Sequence, residues 1–475
     1  MKVLVSDKIS DKGVEILKKA GLTVDVKTGM KPDELKACIG EYHGLVIRSA
    51  TKVTADIIDA AKSLKVIGRA GSGLDNVDKA AASKKGIVVM NTPGGNTITT
   101  AEHTIAMLFA LARMIPQATA SMKAGQWEKK KFMGVELFNK TLGIVGLGNI
   151  GNQVAKKAQG LEMMVIAYDP FLSEDRAKAL GIEKVELPEL FSRADFITIH
   201  TPMTPETKNL INAETIRKMK DGVRIINCAR GGIVNEKDLY EALKSGKVAG
   251  AALDVFEKEP AGPDNPLLGL DNVICTPHLG AATEEAQENV AIAVAEQIAD
   301  YLVRGTIRNA VNFPSIPADQ VARLQPYLSL AEKLGSFAAQ IYEGGITGVT
   351  IEYLGEAAEL NTAPVTIAAL KGLLTPILEE TVNFVNAPFI AKERGIEVKE
   401  TKSDDAGDYQ SILALRIKTK EKERYFAGTL FSKKDPRIVR IDSFAVEIVP
   451  EGIMLMIYNN DKPGVIGNLG SFFGK

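Results

Sequence analysis

Residues 141–159, TLGIVGLGNIGNQVAKKAQ, are the part of the sequence that says most about its architecture. TLGIV predicts a buried strand, NQVAKKAQ predicts a helix, and GLGNIG between them contains Gly146, Gly148 and Gly151 in the spacing GxGxxG. In such a loop the first glycine permits a tight turn, the second lets a pyrophosphate approach the backbone, and the third allows close packing of helix on strand. The free N–H groups of the helix then face the phosphates. The stretch therefore predicts a dinucleotide-binding βαβ unit.

The cofactor predicted for this unit is NAD. Asp169 ends the next predicted strand, MVIAYDP, eighteen residues after Gly151. A carboxylate at this position accepts hydrogen bonds from the ribose hydroxyls and repels a 2′-phosphate. The alternative is an ordinary strand–turn–helix with an exposed aspartate.

The apolar pattern around this unit predicts an α/β fold with two doubly wound parallel sheets. Strands are expected at 3–5, 45–47, 66–68 and 87–90 in the first sheet, with helices at 11–20 and 52–61. One long helix is expected over 97–120. The second sheet is expected to contain six strands, at 141–145, 164–168, 195–199, 224–227, 249–253 and 273–275. After a proline-bearing polar linker at 309–319, β-rich and helical patterns predict a separate α+β module.

Composition excludes several other classes of protein. The chain has 475 residues, enough for several domains, and its 45% hydrophobic and 25% charged residues are typical of a globular protein. A formal net charge of −1 gives no attraction to nucleic acid or anionic lipid. Three dispersed cysteines argue against disulfides and against a zinc site, so no metal is expected. Without a signal peptide or a transmembrane stretch, a cytoplasmic location is expected.

His278, at the end of the apolar run NVICTPHLG, is the strongest candidate for proton transfer, because the chain has only four histidines. Glu259 is the expected partner that orients it, and Arg230 offers a planar fork for a substrate carboxylate. Each expected strand of the second sheet ends in a polar or glycine-rich segment, and such ends meet at one crevice. The alternatives are that His278 is a capping or core histidine, that Arg230 only forms a salt bridge across the domain, and that Glu259 is confused with its neighbour Glu257. His103 is expected to serve packing or an interface, and His200 to line the cleft.

These motifs resemble those of the D-isomer-specific 2-hydroxyacid dehydrogenases. The resemblance rests on GLGNIG, HTPMTPETKNLI, NCARGGIVNEKDL, GAALDVFEKEP and TPHLGAAT, and it covers residues 1 to about 312. RSATKVTADII, GRAGSGLDNVD, VMNTPGGNT and WEKKKFMG are more specifically similar to the branch that oxidises 3-phosphoglycerate to 3-phosphohydroxypyruvate, at the entry to L-serine synthesis.

The resemblance assigns a role to individual residues. It implies Arg230, Glu259 and His278 as the catalytic triad, with Arg230 and His278 also touching the substrate. Ser72 and Gly73 would donate hydrogen bonds to the substrate carboxylate, and Arg48 would help to hold the phosphate. The residues expected to contact NAD are Gly146, Gly148, Asn149, Ile150, Gly151, Asp169, Thr201, Cys228, Ala229, Asp254 and Gly280.

The resemblance also implies a domain organisation. A discontinuous substrate-binding domain would comprise 1–97 and 284–312, with the helix at 284–305 packed back against residues 1–95. The NAD-binding domain would span 98–283, and an intervening regulatory or assembly domain 315–450. Residues 453–475 are similar to the first strand and part of a helix of an ACT domain, a small ligand-binding unit. The expected partners are 3-phosphoglycerate and a second copy or three further copies of the chain, in a homodimer or homotetramer.

Two other functions remain open at the level of sequence. A glyoxylate or hydroxypyruvate reductase of the same family would share the triad and differ in its substrate-side residues. An NAD-sensing regulatory scaffold would be expected to have a decayed triad or a basic nucleic-acid surface, neither of which is present in the sequence.

Overall fold

The computed structural model describes residues 1–314, 318–342, 345–378, 382–419, 421–458 and 463–474. Its internal contacts divide the chain into two compact units. Unit 1 comprises Met1–Val77 and Met90–Asn309, and unit 2 comprises Asp78–Val89 and Ala310–Lys475.

The first sheet has five strands in the order β2-β1-β3-β4-β5. Its strands are β1 (Lys2–Val5), β2 (Thr23–Val26), β3 (Gly44–Ile47), β4 (Val66–Arg69) and β5 (Val88–Asn91). The pairs β1–β2, β1–β3 and β3–β4 are parallel. Its helices are α1 (Asp11–Lys19), α2 (Pro32–Cys38), α3 (Ala55–Ala60) and α4 (Lys79–Lys84), the last of which belongs to unit 2. The sequence pattern missed β2, because this edge strand is mostly solvent-facing and lacks the apolar run of its neighbours.

The second sheet lies wholly in unit 1 and has seven parallel strands in the order β12-β11-β10-β9-β6-β7-β8. The strands are β6 (Thr141–Val145), β7 (Met164–Tyr168), β8 (Glu183–Lys184), β9 (Phe196–Ile199), β10 (Val223–Asn227), β11 (Val248–Leu253) and β12 (Val273–Cys275). The six expected strands are present. The seventh, β8, was missed because two polar residues at an edge produce no apolar signal.

Helices cover both faces of this sheet. They are α7 (Asn149–Gly160), α8 (Glu174–Ala179), α9 (Leu187–Arg193), α10 (Ala213–Arg217) and α11 (Glu236–Lys244). Two hydrophobic clusters, one around Ile197 and Ile225 and the other around Ile144 and Phe196, fill the two sides. The sheet reverses strand order between β6 and β9, which is where ligands bind in doubly wound folds.

The long helix expected over 97–120 is two helices, α5 (Thr97–Arg113) and α6 (Ile115–Lys123), which meet at an angle of 64°. Met114 between them has a φ of 52°, a left-handed conformation that a continuous helix cannot contain. Pro116 lies in the first turn of α6, where its missing N–H has no cost. The expectation of one helix was therefore wrong.

Helix α12 (Glu284–Arg304) returns to the first sheet and packs on α1, β3 and β4. The contact is close: a β-carbon added to Gly13 would lie 2.8 Å from the carbonyl oxygen of Ala291, and one added to Gly68 would lie 2.5 Å from Ile298. The packing expected for this helix is confirmed.

Unit 2 contains a mixed six-stranded sheet in the order β14-β13-β15-β16-β17-β18, in which only the β13–β14 pair is parallel. Its strands are β13 (Gly348–Gly355), β14 (Glu397–Ser403), β15 (Ser411–Lys418), β16 (Glu423–Phe431), β17 (Asp435–Ile441) and β18 (Phe444–Ile448). Helices α13 (Ala318–Gln340), α14 (Thr362–Leu374) and α15 (Ala387–Glu393) complete the module. Its core joins α13 and α14 to the inner face of the sheet, which is the α+β architecture expected.

The segment compared with an ACT domain has one helix, α16 (Val465–Phe473). The strand expected at its start is absent: residues 453–458 form no strand, because no described strand pairs with them. Residues 459–462 and 475 lie outside the described residues. Of the described helices, no single one is long and apolar enough to cross a membrane, and only the bent pair α5 and α6 meets that test, by length and composition alone.

Candidate active site

The glycine loop after β6 is shaped for a close approach. Gly146 has a φ of 93°, and a β-carbon there would lie 2.8 Å from the carbonyl oxygen of His200. A β-carbon on Gly151 would lie 2.1 Å from the carbonyl oxygen of Gly146, so the helix can meet the loop only without a side chain. By contrast, a β-carbon on Gly148 would meet no heavy atom within 4 Å. The loop is therefore tight on its protein side and open at Gly148.

Helix α7 begins at Asn149, followed by Ile150, and its free N–H groups lie at the carboxyl end of the sheet. Asp169 follows β7 at the same edge, where its carboxylate accepts hydrogen bonds from the amides of Leu147 (2.8 Å) and Phe171 (2.8 Å). A carboxylate has about four acceptor sites, so both oxygens can still accept a hydroxyl.

The segments after β9 and β10 lie at the same edge of the sheet. After β9, Thr201 Oγ1 is buried and forms no hydrogen bond with any residue that the structure describes. Burial raises the pKa of the Cys228 thiol to about 12 and lowers the pKa of His200 to about 3, so both side chains are neutral. The amide of Ala229 donates to Asn227 Oδ1 (3.0 Å). The orphaned Thr201 hydroxyl and the open glycine loop both fit a bound dinucleotide.

Asp254, at the end of β11, is fully buried and binds the turn that follows β12. Its Oδ1 accepts from Thr276 Oγ1 (2.7 Å) and from the Leu279 amide (2.7 Å), while Oδ2 accepts from the Gly280 amide (2.8 Å). Its carbonyl oxygen accepts from the amide of His278 (2.9 Å). These four bonds fix the turn on which His278 lies, with a φ of 55° at that residue.

The structure brings His278 and Glu259 together. The Nδ1 of His278 lies 2.7 Å from Glu259 Oε2, and Glu259 Oε1 accepts from the amide of Phe256 (3.1 Å). The hydrogen bond with Glu259 raises the pKa of His278 above its usual value, although burial acts in the opposite direction. Burial would raise the pKa of Glu259, but the hydrogen bonds from His278 and the Phe256 amide outweigh it and lower that pKa. The pair is arranged to stabilise an imidazolium.

Arg230 lies beside this pair, at the end of β10. Its Nε donates to Asp75 Oδ2 (3.0 Å), and its Nη1 donates to the carbonyl oxygen of Ala229 (2.7 Å). Its Nη2 lies against Gly73, because a β-carbon on that glycine would be 2.0 Å away. Arg230 thus forms an ion pair with Asp75 and still faces the Gly73 backbone.

The remaining expected substrate residues, Arg48 and Ser72, follow β3 and β4. The amide of Arg48 donates to Asp7 Oδ2 (2.6 Å), and its Nη1 donates to the carbonyl oxygen of Lys8 (3.2 Å). The hydroxyl of Ser72 donates to Asn96 Oδ1 (2.9 Å), which leaves its oxygen as an acceptor and its amide as a donor.

Sequence reasoning missed two residues of this region. Asp75, the partner of Arg230, follows Gly73 by two positions, and nothing in the local pattern indicates an ion pair with a residue 155 positions away. His103, expected to serve packing, places Nε2 3.2 Å from Asp254 Oδ1 and 3.3 Å from Thr276 Oγ1. Burial would raise the pKa of Asp254, but hydrogen bonds from His103, Thr276 and the Leu279 amide keep it low.

The glycine loop, the seven-stranded parallel sheet and the histidine–carboxylate pair define a nicotinamide-dependent dehydrogenase. Residues 105–280 match the family described as "D-isomer specific 2-hydroxyacid dehydrogenase, NAD binding domain", and residues 323–442 match "D-3-phosphoglycerate dehydrogenase intervening domain". The chain belongs to the D-3-phosphoglycerate dehydrogenase family of these NAD-dependent enzymes.

Relatives extend this similarity over the whole chain. D-3-phosphoglycerate dehydrogenase of Archaeoglobus fulgidus is 50% identical over 475 residues, covering 100% of this chain and 90% of the relative. The Bacillus subtilis enzyme of the same name is 44% identical, with the same coverage. Among solved structures, TT0316 protein of Thermus thermophilus has a TM-score of 0.61 and 37% identity, over 66% of this chain and 100% of that one. A glyoxylate reductase from Paecilomyes thermophila is more distant in sequence, with a TM-score of 0.60 and 29% identity over 66% of this chain and 98% of that one.

Proposed function

We propose that this protein oxidises 3-phospho-D-glycerate to 3-phosphohydroxypyruvate with NAD, as the first step of the phosphorylated route to L-serine. The observation that supports it most is the His278–Glu259 pair, joined at 2.7 Å beside Arg230 at the carboxyl edge of the sheet. An acid–base group next to a carboxylate-binding arginine is what oxidation of a 2-hydroxy acid requires. The relatives that span the chain share the name of this activity.

His278 acts as the general base in this proposal. With its Nδ1 proton donated to Glu259, its Nε2 is free to accept the hydroxyl proton of the substrate. As the hydrogen on C2 leaves with its electron pair, the resulting imidazolium is stabilised by the Glu259 carboxylate. In the reverse direction His278 returns the proton, so the same pair serves reduction.

The glycine loop holds the cofactor in this proposal. Gly146, Gly148 and Gly151, with Asn149 and Ile150 at the start of α7, accommodate the pyrophosphate, and Asp169 accepts the ribose hydroxyls. Thr201, Cys228, Ala229, Asp254 and Gly280 line the remaining edge of the site. Bound NAD supplies the hydride acceptor.

The substrate carboxylate is assigned to Arg230 and to the backbone at Ser72 and Gly73. Arg230 keeps Nη2 beside Gly73, so a guanidinium nitrogen and a backbone amide can bind the same carboxylate. Arg48 is assigned to the phosphate, because it follows β3 at the same edge of the first sheet.

A steady-state assay tests the proposed function directly. Purified protein would be given 3-phosphoglycerate, D-glycerate or D-lactate, with NAD or NADP in turn. The highest kcat/KM is expected for 3-phosphoglycerate with NAD. If glyoxylate and hydroxypyruvate were reduced efficiently while 3-phosphoglycerate was not oxidised, the reductase would be the correct function.

An exposed apolar surface on α5 and α6 supports assembly of the protein as a homodimer or a homotetramer. Phe109, Ile115 and Met122 are partly or largely exposed along α5 and α6, around a groove of about 650 Å³. Trp127, which is 81% exposed, follows α6. An apolar surface of this kind on a two-helix corner suits a self-complementary contact with a second copy.

Ile115→Glu should therefore lower the mass of the assembly, to monomers from a homodimer or to dimers from a homotetramer, since it places a charge within that surface. Molar mass by light scattering would measure the change. Phe444→Glu provides the control, because Phe444 is similarly exposed but lies in unit 2. An unchanged mass for Ile115→Glu would contradict the proposed interface.

The C-terminal half is assigned to regulation or assembly, with residues 453–475 as an ACT-like segment. A cytoplasmic location is proposed because Cys38, Cys228 and Cys275 are all free thiols.

A further inference from the structure

The backbone that carries Ser72 and Gly73 is bound by the protein at its carbonyl oxygens. The carbonyl oxygen of Ser72 accepts a hydrogen bond from Asn91 Nδ2 (2.6 Å), and the carbonyl oxygen of Gly71 accepts one from the Thr92 amide (3.1 Å). The amides of Ser72 and Gly73 form no hydrogen bond with any residue that the structure describes. Both amides therefore remain available to a ligand.

The bonds to these carbonyl oxygens also fix the directions of the two free amides. A carbonyl oxygen and the N–H of the next residue belong to one planar trans peptide, in which they point in opposite directions. The donor on the Ser72 oxygen therefore sets the direction of the Gly73 N–H. The donor on the Gly71 oxygen does the same for the Ser72 N–H. Because Gly73 lacks a β-carbon, its peptide could rotate easily without such a bond.

The two donors are themselves held in place. Asn91 is the last residue of β5, and its amide donates to the carbonyl oxygen of Asn309 (3.3 Å). Thr92 is buried, and its Oγ1 accepts from the amide of Gly71 (2.7 Å). Asn91 is the one donor of this pair that a substitution can remove, since the bond from Thr92 comes from its backbone.

The Gly73 amide lies where a carboxylate would bind. A β-carbon on Gly73 would be 2.0 Å from Arg230 Nη2, so the guanidinium and this stretch of backbone are in close contact. A neutral N–H donor forms a strong hydrogen bond with a carboxylate only if it points at the oxygen. The direction of the Gly73 N–H thus decides whether it acts together with Arg230.

We propose that Asn91 is a positioning residue for the substrate carboxylate, because its side chain holds the Ser72–Gly73 peptide with the Gly73 N–H directed at that group. The inference rests on the proposed function and deepens it. Asn91 itself does not touch the substrate. It acts through the peptide between Ser72 and Gly73.

Asn91→Asp and Asn91→Ala are the test variants. Aspartate has nearly the same shape as asparagine, but its carboxylate can only accept hydrogen bonds, so it repels the Ser72 carbonyl oxygen. Alanine removes the donor without adding repulsion. Asn272→Asp is the matched control. Asn272 Nδ2 also donates to backbone carbonyl oxygens, those of Leu243 and Ala249 (both 3.4 Å), but Asn272 precedes β12, at the opposite edge of its sheet from the proposed site.

Steady-state kinetics with 3-phosphoglycerate give the first measurement. Asn91→Asp should lower kcat/KM roughly 10- to 100-fold, the effect of losing one hydrogen bond to a charged group. The loss should lie mainly in KM, because the carboxylate is bound alike in the ground state and the transition state. Asn91→Ala should show a smaller loss in the same direction, and Asn272→Asp should resemble the parent.

Two further ligands show whether the effect is confined to the carboxylate. Glycerol 3-phosphate keeps the phosphate and the C2 hydroxyl of the substrate but has no carboxylate. Its inhibition constant against 3-phosphoglycerate should therefore be the same for the Asn91 variants as for the parent. The dissociation constant of NAD should also be unchanged, which shows at the same time that each variant is folded. If Asn91→Asp does not fold, Asn91→Ala decides the question.

The outcomes separate the two proposals. Parental kcat/KM in both Asn91 variants would overturn the role of Asn91. So would an equal weakening of glycerol 3-phosphate, or a loss of NAD affinity, because either would indicate general damage to the cleft. A parent protein that does not oxidise 3-phosphoglycerate would instead overturn the proposed function.

Discussion

His278 combines three features at one residue: a left-handed backbone, an amide fixed by the Asp254 carbonyl oxygen, and a ring fixed by Glu259. The ring cannot turn away without loss of the bond to Glu259. His278→Ala should therefore lower kcat by roughly 10²- to 10⁴-fold, the usual contribution of a positioned acid–base group, and leave NAD affinity nearly unchanged. Steady-state rates and a cofactor titration would measure both quantities. His43→Ala is the control, because the His43 ring accepts a hydrogen bond from the Lys2 amide and lies before β3, at the amino edge of the first sheet. Near-parental turnover of His278→Ala would refute the role.

Glu259→Gln tests the electrostatic part of the same pair. The bond to Glu259 raises the pKa of His278, so a neutral amide should allow that pKa to fall. Oxidation requires neutral His278, and its rate is lost as the pH falls through this pKa. The acidic limb of the kcat/KM profile should therefore move to lower pH, while kcat itself decreases. An acidic limb that stayed in place would show that His278 is not the titrating group.

At the scale of elements, the loop between β6 and α7 offers two glycines with opposite surroundings. Gly151→Ala places a β-carbon 2.1 Å from a carbonyl oxygen and should destabilise the protein by about 1–3 kcal/mol, as overpacking does. Gly148→Ala meets open space and should leave stability unchanged, but it should weaken NAD binding by occupying the space of the pyrophosphate. Chemical denaturation and NAD titration of both variants would separate the effects. Equal destabilisation by the two substitutions would contradict this assignment of space.

Some of the strands and helices could be predicted from sequence patterns, and others could not. The six main strands of the second sheet, α12 and the α+β module were predictable, because buried parallel strands and amphipathic helices leave strong apolar periodicity. The edge strands β2 and β8 leave almost none. The break at Met114 depends on a left-handed conformation that methionine rarely adopts, so the apolar pattern continued across it.

The candidate site, too, could be predicted from the sequence only in part. His278, Glu259 and Arg230 could be proposed because each follows the end of a strand, where this fold gathers its ligands. Asp75 and His103 were missed, since their importance lies in contacts between distant elements. Such contacts are not visible in local sequence.

A fragment of residues 1–312 tests whether the NAD site of the whole molecule forms without the C-terminal half. All strands of the second sheet precede residue 310, so the fragment should bind NAD. The segment 78–89 should be destabilised, because the Gly86 carbonyl oxygen accepts from Asn383, which the fragment lacks. Isothermal titration and hydrogen exchange would measure the two effects. A fragment that failed to bind NAD would show that the cofactor site depends on the C-terminal half.

The return of α12 to the first sheet has a consequence for the protein during its synthesis. The groove formed at Gly13, Gly44 and Gly68 receives its helix only after Leu302 has left the ribosome. Translation proceeds from the N-terminus, so the sheet made first is covered by α12 only after every strand of the second sheet has emerged. The nascent chain therefore exposes an apolar groove while residues 69–304 are made, and a chaperone that binds such grooves would find its target in the earliest residues.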